Sequence, residues 1–394
     1  MFPRRGRREE YKNDLYSKWG DALKSIVKFF KKEAVLCISG VLAVISCFIV
    51  PPSAAYAGYI DLRVLILLFC LMLVVAGIRQ TGAFTVICEA LLKKFRSIKA
   101  IGLVLVLLSF FMSMLLTNDV TLVTIVPFTL LMFDKITGEK KARAEIVLLV
   151  LETAAANLGS MLTPMGNPQN LYLYSKFDLS IGEFFVIIFP YSALSLILLT
   201  GSVFVFLPKL QTEKPEGSSK IQGRVKPILF VVLFAVNMLT ILRILDDKIL
   251  LAIVVAAVLI ADRKLFLQAD YSLLLTFVFF FIFVGNLGSI PALSESLQSI
   301  LLGNEVAVSV ALSQVISNVP AALLLSGLSD NVNGLIIGTN LGGLGTLIAS
   351  MASLITYKFY AGTKGSSPKK YILVFTAFNV CCLAALGALY FLLS

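Results

Sequence analysis

Histidine is absent from all 394 residues, which removes the commonest metal ligand and the side chain that ordinarily titrates near neutral pH. Any proton this chain handles must therefore ride on a carboxylate. Cysteine is sparse as well. Cys37, Cys47, Cys70, Cys88, Cys381 and Cys382 lie in or beside apolar segments and never in CxxC spacing, so neither a disulfide frame nor a metal site is indicated and they read as small core residues. Charge is also scarce: 14% of residues are charged and 58% hydrophobic, against about 25% charged in an ordinary soluble domain. With a mean hydropathy of +0.92, the chain belongs in lipid.

The apolar residues come in long runs that recur along the whole chain, as bilayer-spanning helices require and barrel strands do not. The fold class is all-α and polytopic. A net charge of +11 would suggest nucleic acid in a soluble protein. Here Lys and Arg sit in loops between apolar runs, so no nucleic-acid partner is expected and the cations set orientation instead.

Residues 1–33 are strongly charged, with Leu15, Trp19, Leu23, Ile26 and Phe30 at helical spacing. They read as an amphipathic cytoplasmic segment, with a disordered basic tail as the alternative. The apolar run that follows is too long for a signal-peptide core and lacks a clear cleavage site. Full spans are expected near 34–51, 62–79, 144–173, 184–207, 227–244, 249–262, 270–289, 333–357 and 371–393. Residues 100–133 and 303–329 are each interrupted midway by a short polar motif, which suggests re-entrant hairpins; charge alone fits full crossings equally well. In both readings the basic loops fall on the N-terminal side, making the N-terminus cytoplasmic and the protein a multi-pass component of the cytoplasmic membrane.

The segment from Asn157, NLGSMLTPMGNPQNLYLY, aligns with that from Asn340, NLGGLGTLIASMASLITY, at a constant offset of 183 residues. Asn157, Leu158, Gly159, Thr163, Leu171 and Tyr174 match Asn340, Leu341, Gly342, Thr346, Leu354 and Tyr357. An interrupted hairpin precedes each, with TND at 117–119 and SNVP at 317–320. This divides the chain into a first repeat at 34–207, a linker loop and inverting helix at 208–248, and a second repeat at 249–394. The expected architecture is two inverted repeats, about nine full spans, two re-entrant hairpins and two broken helices, an arrangement suited to alternating access.

Chemistry is expected where backbone leaves helical geometry inside the bilayer, because such backbone must be buried in protein or line a wet cavity. Gly159, Pro164, Gly166 and Pro168 break one span; Gly342, Gly343 and Gly345 break the other. The exposed helix N-termini suit an anion, and the freed carbonyls suit Na⁺. Thr117, Asn118, Ser317, Asn318, Asn157, Asn340, Thr163, Thr346, Asn167, Thr121 and Ser350 add neutral polar groups; capping or interhelical bonding is their structural alternative. Asp119 is the sharpest candidate for coupling, since a mid-membrane carboxylate is costly. Its alternative is an N-cap nearer water. Glu152 is the second candidate, or else half of a buried pair. Arg79 and Arg63 read as anchors at span ends.

These tips and breaks resemble the ion transporter superfamily, in its citrate-transporter-like branch of divalent anion:sodium symporters and arsenical pump permeases, from about residue 34 onward. In the symporters paired Ser-Asn-Thr tips bind Na⁺ and substrate carboxylate. Here the tips are Thr117-Asn118-Asp119 and Ser317-Asn318-Val319, so the Asn of each carries over and the third position departs. The Asn-Asp tip followed by an Asn-x-Pro tip looks more like arsenite permeases, and the overall pattern is most similar to uncharacterised anion permeases with NLGSMLTPxGNPQN. The resemblance implies a homodimer whose hairpins and broken helices move against a scaffold. It also implies a small anionic substrate, a di- or tricarboxylate or an inorganic oxyanion. No cofactor is expected beyond a coupling Na⁺ or H⁺, with Na⁺ near Asn118, Asp119 and Asn167. Arsenite-type efflux and Na⁺/H⁺ exchange on Asp119 and Glu152 remain the other transport readings. A channel would want a continuous polar lining, and an enzyme a nucleophile with its base or a metal cluster; neither is present.

Overall fold

The computed structural model describes residues 33–92, 94–134, 136, 140–209, 223 and 225–393. The amphipathic segment expected within 1–33 and most of the expected linker loop lie outside the described residues. Among those described, the regular elements are helices. The first half contains α1 (Ala34–Ile49), α2 (Tyr56–Tyr59), α3 (Leu62–Gln80), α4 (Ala83–Leu92), α5 (Ile98–Leu116), α6 (Asn118–Asp134), α7 (Lys141–Ser160), a 3-10 turn at Pro164–Gly166, α8 (Pro168–Lys176) and α9 (Ile181–Phe206). The second contains α10 (Val225–Ile241), α11 (Asp247–Ala261), a 3-10 segment at Arg263–Gln268, α12 (Tyr271–Gly288), α13 (Pro291–Leu301), α14 (Glu305–Ile316), α15 (Asn318–Leu325), α16 (Val332–Leu341), α17 (Met351–Ala361) and α18 (Pro368–Leu393).

Five of the described helices, α3, α5, α9, α12 and α18, are individually long and apolar enough to cross a bilayer. With 16, 17 and 15 residues, α1, α10 and α11 span only about 23–26 Å at 1.5 Å per residue, short of a typical hydrocarbon core of about 30 Å. Two expected spans, 144–173 and 333–357, are broken where expected: backbone leaves the helix at 161–167 and 342–350. Two short helices were not anticipated, α4 and α13, which directly follow the long helices α3 and α12.

The surface is lipid-like and the interior polar, the reverse of a soluble protein. Val186, Val205, Ile260 and Leu373 are each more than 70% exposed, whereas Thr121, Glu152, Asn170, Asn237 and Asn379 are fully buried. Such an apolar exterior exceeds what a soluble monomer exposes and gives a multi-pass membrane protein.

Packing exchanges the halves. From the first half, α1 lies against α12; from the second, α10 and α11 lie against α3. Equivalent caps start the two receiving helices. Asp61 accepts from the Val64 amide at 3.0 Å, and Asp270 from the Leu273 amide at 2.9 Å, each satisfying an orphan N–H of a first turn. At the far end of α3, Gln80 Nε2 donates to Asp262 at 3.0 Å and Lys226 Nζ sits 3.8 Å from the same carboxylate. The Lys264 amide hydrogen bond, followed by that from Gln80, holds the Asp262 carboxyl below the usual range.

Candidate functional site

Each helix pair α5/α6 and α14/α15 meets at one residue with positive φ. Thr117 has φ 71° and ψ 150°, and Ser317 has φ 77° and ψ 155°. That region belongs almost wholly to glycine, and holding another residue there costs of order 1–3 kcal/mol. Neither residue is glycine, so both tips hold a hydroxyl-bearing side chain at a strained turn. Asn118 and Asn318 then begin α6 and α15. Asn118 Oδ1 accepts from the Asp119 amide at 2.9 Å. The Asn318 amide donates to the Ala349 carbonyl at 3.0 Å and Ser317 Oγ to the same carbonyl at 3.3 Å, which seats the second tip on the second helix break.

The breaks themselves are tied to each other. Asn157, near the end of α7, donates to Ser353 Oγ at 3.2 Å and accepts from Ser350 Oγ at 3.1 Å. Asn340, at the end of α16, donates to Asn170 Oδ1 at 2.7 Å and accepts from Asn167 Nδ2 at 3.4 Å. Each Asn thus bridges to the start of the helix beyond the other break. Asn157 also accepts from Asn118 Nδ2 at 3.1 Å, bringing the first tip into the same network. Asn167 caps α8 by accepting from the Asn170 amide at 3.2 Å, with Pro168 at the first helical position, where its missing N–H leaves nothing unsatisfied.

Hairpin arms and breaks are joined in the same way in both halves. Thr163 Oγ1 donates to the Met114 carbonyl, and Thr346 Oγ1 to the Gln314 carbonyl at 3.4 Å. Gln314 Nε2 also donates to the carbonyls of Gly342 and Leu344 at 3.0 and 2.9 Å, and its Oε1 accepts from the Thr346 amide at 2.9 Å. Glycine is required beside the arms: a Cβ on Gly159 would lie 2.1 Å from the Phe110 carbonyl oxygen, and one on Gly342 would lie 2.4 Å from Ser313 Oγ. Gly166 folds its turn onto the Ser160 carbonyl.

The two carboxylates are not brought together. Asp119 lines a cavity of about 160 Å³ shared with Thr117, Asn167, Arg79, Gln268 and Asp270. Its Oδ1 is buried without a hydrogen-bond partner. Glu152 is fully buried away from that cavity. Its Oε1 accepts from Thr129 Oγ1 at 2.7 Å, and its Oε2 has no partner.

Of the expected site residues, Thr117, Asp119 and Asn167 therefore share a cavity, while Asn118, Asn157, Ser350, Asn167 and Asn340 form the network at the breaks. Ser317 and Asn318 occupy the opposite tip. Asn170, Ser353, Gln314 and Arg79 were not anticipated at the site. The offset of 183 residues could have found the first two, since Asn167 and Asn170 align with Ser350 and Ser353. The expected role of Arg79 as a span-end anchor needs revision, because the cavity extends along α3 as far as its guanidinium.

A sequence model of a family described as "Citrate transporter" matches residues 26–333. An uncharacterized transporter of Methanocaldococcus jannaschii is 34% identical over 307 residues, covering 77% of this chain and 82% of its own. An inner membrane protein of Escherichia coli is 29% identical over 320 residues, covering 80% and 84%. A silicon efflux transporter of Oryza sativa subsp. japonica is 31% identical over 151 residues, covering 38% of this chain and 30% of its own.

Proposed function

Because the chain belongs to the citrate transporter family, and is accordingly a multi-pass membrane transporter, we propose that it moves a small anion, a di- or tricarboxylate or an inorganic oxyanion, across the cytoplasmic membrane coupled to Na⁺ or H⁺. The observation that carries this is the pair of strained tips, Thr117-Asn118 and Ser317-Asn318, meeting two broken helices through matching hydrogen bonds. Under this reading the two halves are inverted repeats, α5/α6 and α14/α15 are re-entrant hairpins, and the substrate sits between the tips. The exposed starts of α6, α8, α15 and α17 offer free amides to its negative charge. The coupling cation sits by Asp119, with Thr117 and Asn167 as neighbouring neutral oxygens. The basic loops put the N-terminus in the cytoplasm, and the protein works as a homodimer.

A second reading is efflux of a weak oxyacid such as arsenite, driven by protons on Asp119. It is favoured by the carboxylate at the third position of the first tip, and the rice relative described as a silicon efflux transporter fits the same class of solute. Melting of the detergent-purified protein against citrate, succinate, sulfate, phosphate and arsenite, each with and without Na⁺, separates the two. A ligand at a hundred times its dissociation constant stabilises the folded state by about 2.7 kcal/mol. A Na⁺-dependent shift by one anion, lost in Asp119→Asn, supports symport. A pH-dependent arsenite shift indifferent to Na⁺ supports efflux, and no shift by any of the five sinks both.

A further inference from the structure

The cavity that holds Asp119 is not confined to the tip. Along α3 it is lined from Leu68 to Arg79, eleven residues or about 16 Å of helix, roughly half the thickness of a hydrocarbon core. Arg79 stands one residue before the end of α3, where Gln268 and Asp270 also line the cavity and are exposed. The cavity therefore opens beside the end of α3 and reaches the first hairpin tip. By the distribution of basic loops, with Arg263 and Lys264 next to Gln268, that opening faces the cytoplasm.

Arg79 is free to bind. Its guanidinium has five N–H donors, yet its side-chain hydrogen bonding among the described residues amounts to one long contact, Nη2 to Gln268 Oε1 at 3.4 Å. No carboxylate lies within ion-pair distance of it among the described residues. The walls between it and the tip are apolar, including Leu71, Val75 and Leu273, so a charge pair there is less screened than at an open surface. The cavity also has its own charge imbalance, since Asp119 and Asp270 face one guanidinium.

We infer that Arg79 is the anion-recognising residue of this transport pathway, its planar fork holding a carboxylate or oxyanion of the substrate while Asp119 takes the coupling cation. The inference rests on the transport reading above and names the group that gives it anion preference. A guanidinium matches carboxylate and oxyanion geometry in a bidentate way that an ammonium does not. With two carboxylates against one cation, an incoming anion meets net negative charge until a cation or proton neutralises Asp119. The cation therefore binds first, and the anion's affinity depends on it.

The test is titration of the same five anions by melting temperature in the full-length purified protein, at saturating Na⁺, in wild type, Arg79→Gln and Arg79→Lys. Na⁺ is titrated separately without anion. In Arg79→Gln the half-saturating anion concentration is expected to rise about tenfold or more, as for loss of a charge-assisted hydrogen bond, with that of Na⁺ unchanged. Arg79→Lys should fall between the two. An unchanged anion midpoint in Arg79→Gln overturns the assignment and leaves the transport reading standing. A parallel loss of Na⁺ and anion binding also overturns it, as the mark of a merely structural role. Should Arg79→Gln not yield folded protein, a wild-type midpoint in Arg79→Lys overturns it equally. No shift in wild type by any anion defeats both the transport reading and this one.

Discussion

Asn157 and Asn340, 183 residues apart in sequence, each donate one hydrogen bond and accept another from the helix beyond the opposite break. Their partners, Ser350 and Ser353 for one and Asn167 and Asn170 for the other, keep the same offset. A reciprocal pattern of this kind ties the two broken spans into one unit. It also explains why polar residues unrelated by identity, Asn in one half and Ser in the other, occupy matching positions: either type can supply the needed donor or acceptor.

The first prediction concerns this tie. Asn157→Ala leaves Ser350, Ser353 and Asn118 each short of a buried partner, whereas Asn340→Ala strands Asn167 and Asn170. Each change should lower stability by about 1–3 kcal/mol, the usual cost of stranding buried polar groups, read as a drop in melting temperature. Ser353→Ala removes only one end of one bond, so it should cost less than Asn157→Ala. Equal losses for the two would show that the Asn contributes nothing beyond that single contact.

A second prediction follows from the tips. Thr117 holds φ 71° with a β-branched side chain, so Thr117→Gly relieves strain of order 1–3 kcal/mol against a gain of about 0.5–1 kcal/mol in unfolded-state freedom. The variant should melt at or above the wild-type temperature. Because Thr117 lines the cavity beside Asp119, loss of its hydroxyl should shrink the ligand-induced shift. Thr117→Val removes the hydroxyl and keeps the strain, and should lose the shift without gaining stability. A Thr117→Gly protein that is less stable and still fully responsive to ligand counts against a functional reason for the strained turn.

Some of this was legible in the sequence. The breaks at 161–167 and 342–350 announced themselves through Pro164, Pro168 and the clustered glycines, because those residues disfavour continuous helix whatever surrounds them. The tips were legible for the same local reason. Helices α4 and α13, of 10 and 11 residues, were not, since segments too short to span a bilayer leave no hydropathy signal distinct from a loop. The partners of Asn157 and Asn340 could not be read at all, because cross-half pairing is decided by the fold and not by spacing along the chain. Arg79 was misjudged because a cation at a span end usually anchors, and only the course of the cavity shows that it does not stop at the interface.

The third prediction separates two glycines that the repeat makes equivalent. A Cβ on Gly159 meets the backbone oxygen of Phe110 at 2.1 Å, whereas one on Gly342 meets the side-chain oxygen of Ser313 at 2.4 Å and its Cβ at 2.8 Å. Backbone cannot rotate away, so Gly159→Ala must push α7 and α5 apart, at a cost at or beyond the usual 1–3 kcal/mol of overpacking. Gly342→Ala should be milder and partly rescued by Ser313→Gly. Purification yield and melting temperature of the two single variants and the double give the comparison directly. Equal damage from both single changes would mean that the arms flex as readily as a side chain turns.

The last prediction divides the two buried carboxylates by function. Asp119 faces a cavity with one oxygen unpartnered, and Glu152 is sealed between helices with one oxygen held by Thr129 and the other unpartnered. Only a group in contact with a water-accessible space can exchange a cation during turnover. Asp119→Asn should therefore abolish the Na⁺- or pH-dependent part of ligand stabilisation while leaving the melting temperature without ligand near wild type. Glu152→Gln keeps the acceptor for Thr129 and nearly the same volume, so ligand stabilisation should retain its dependence on Na⁺ or pH. The two variants are compared by melting temperature across pH 5–9, with and without Na⁺. If Glu152→Gln, and not Asp119→Asn, erases the cation dependence, the coupling carboxylate is the sealed one, and a path through the α6–α7 contact must open during transport.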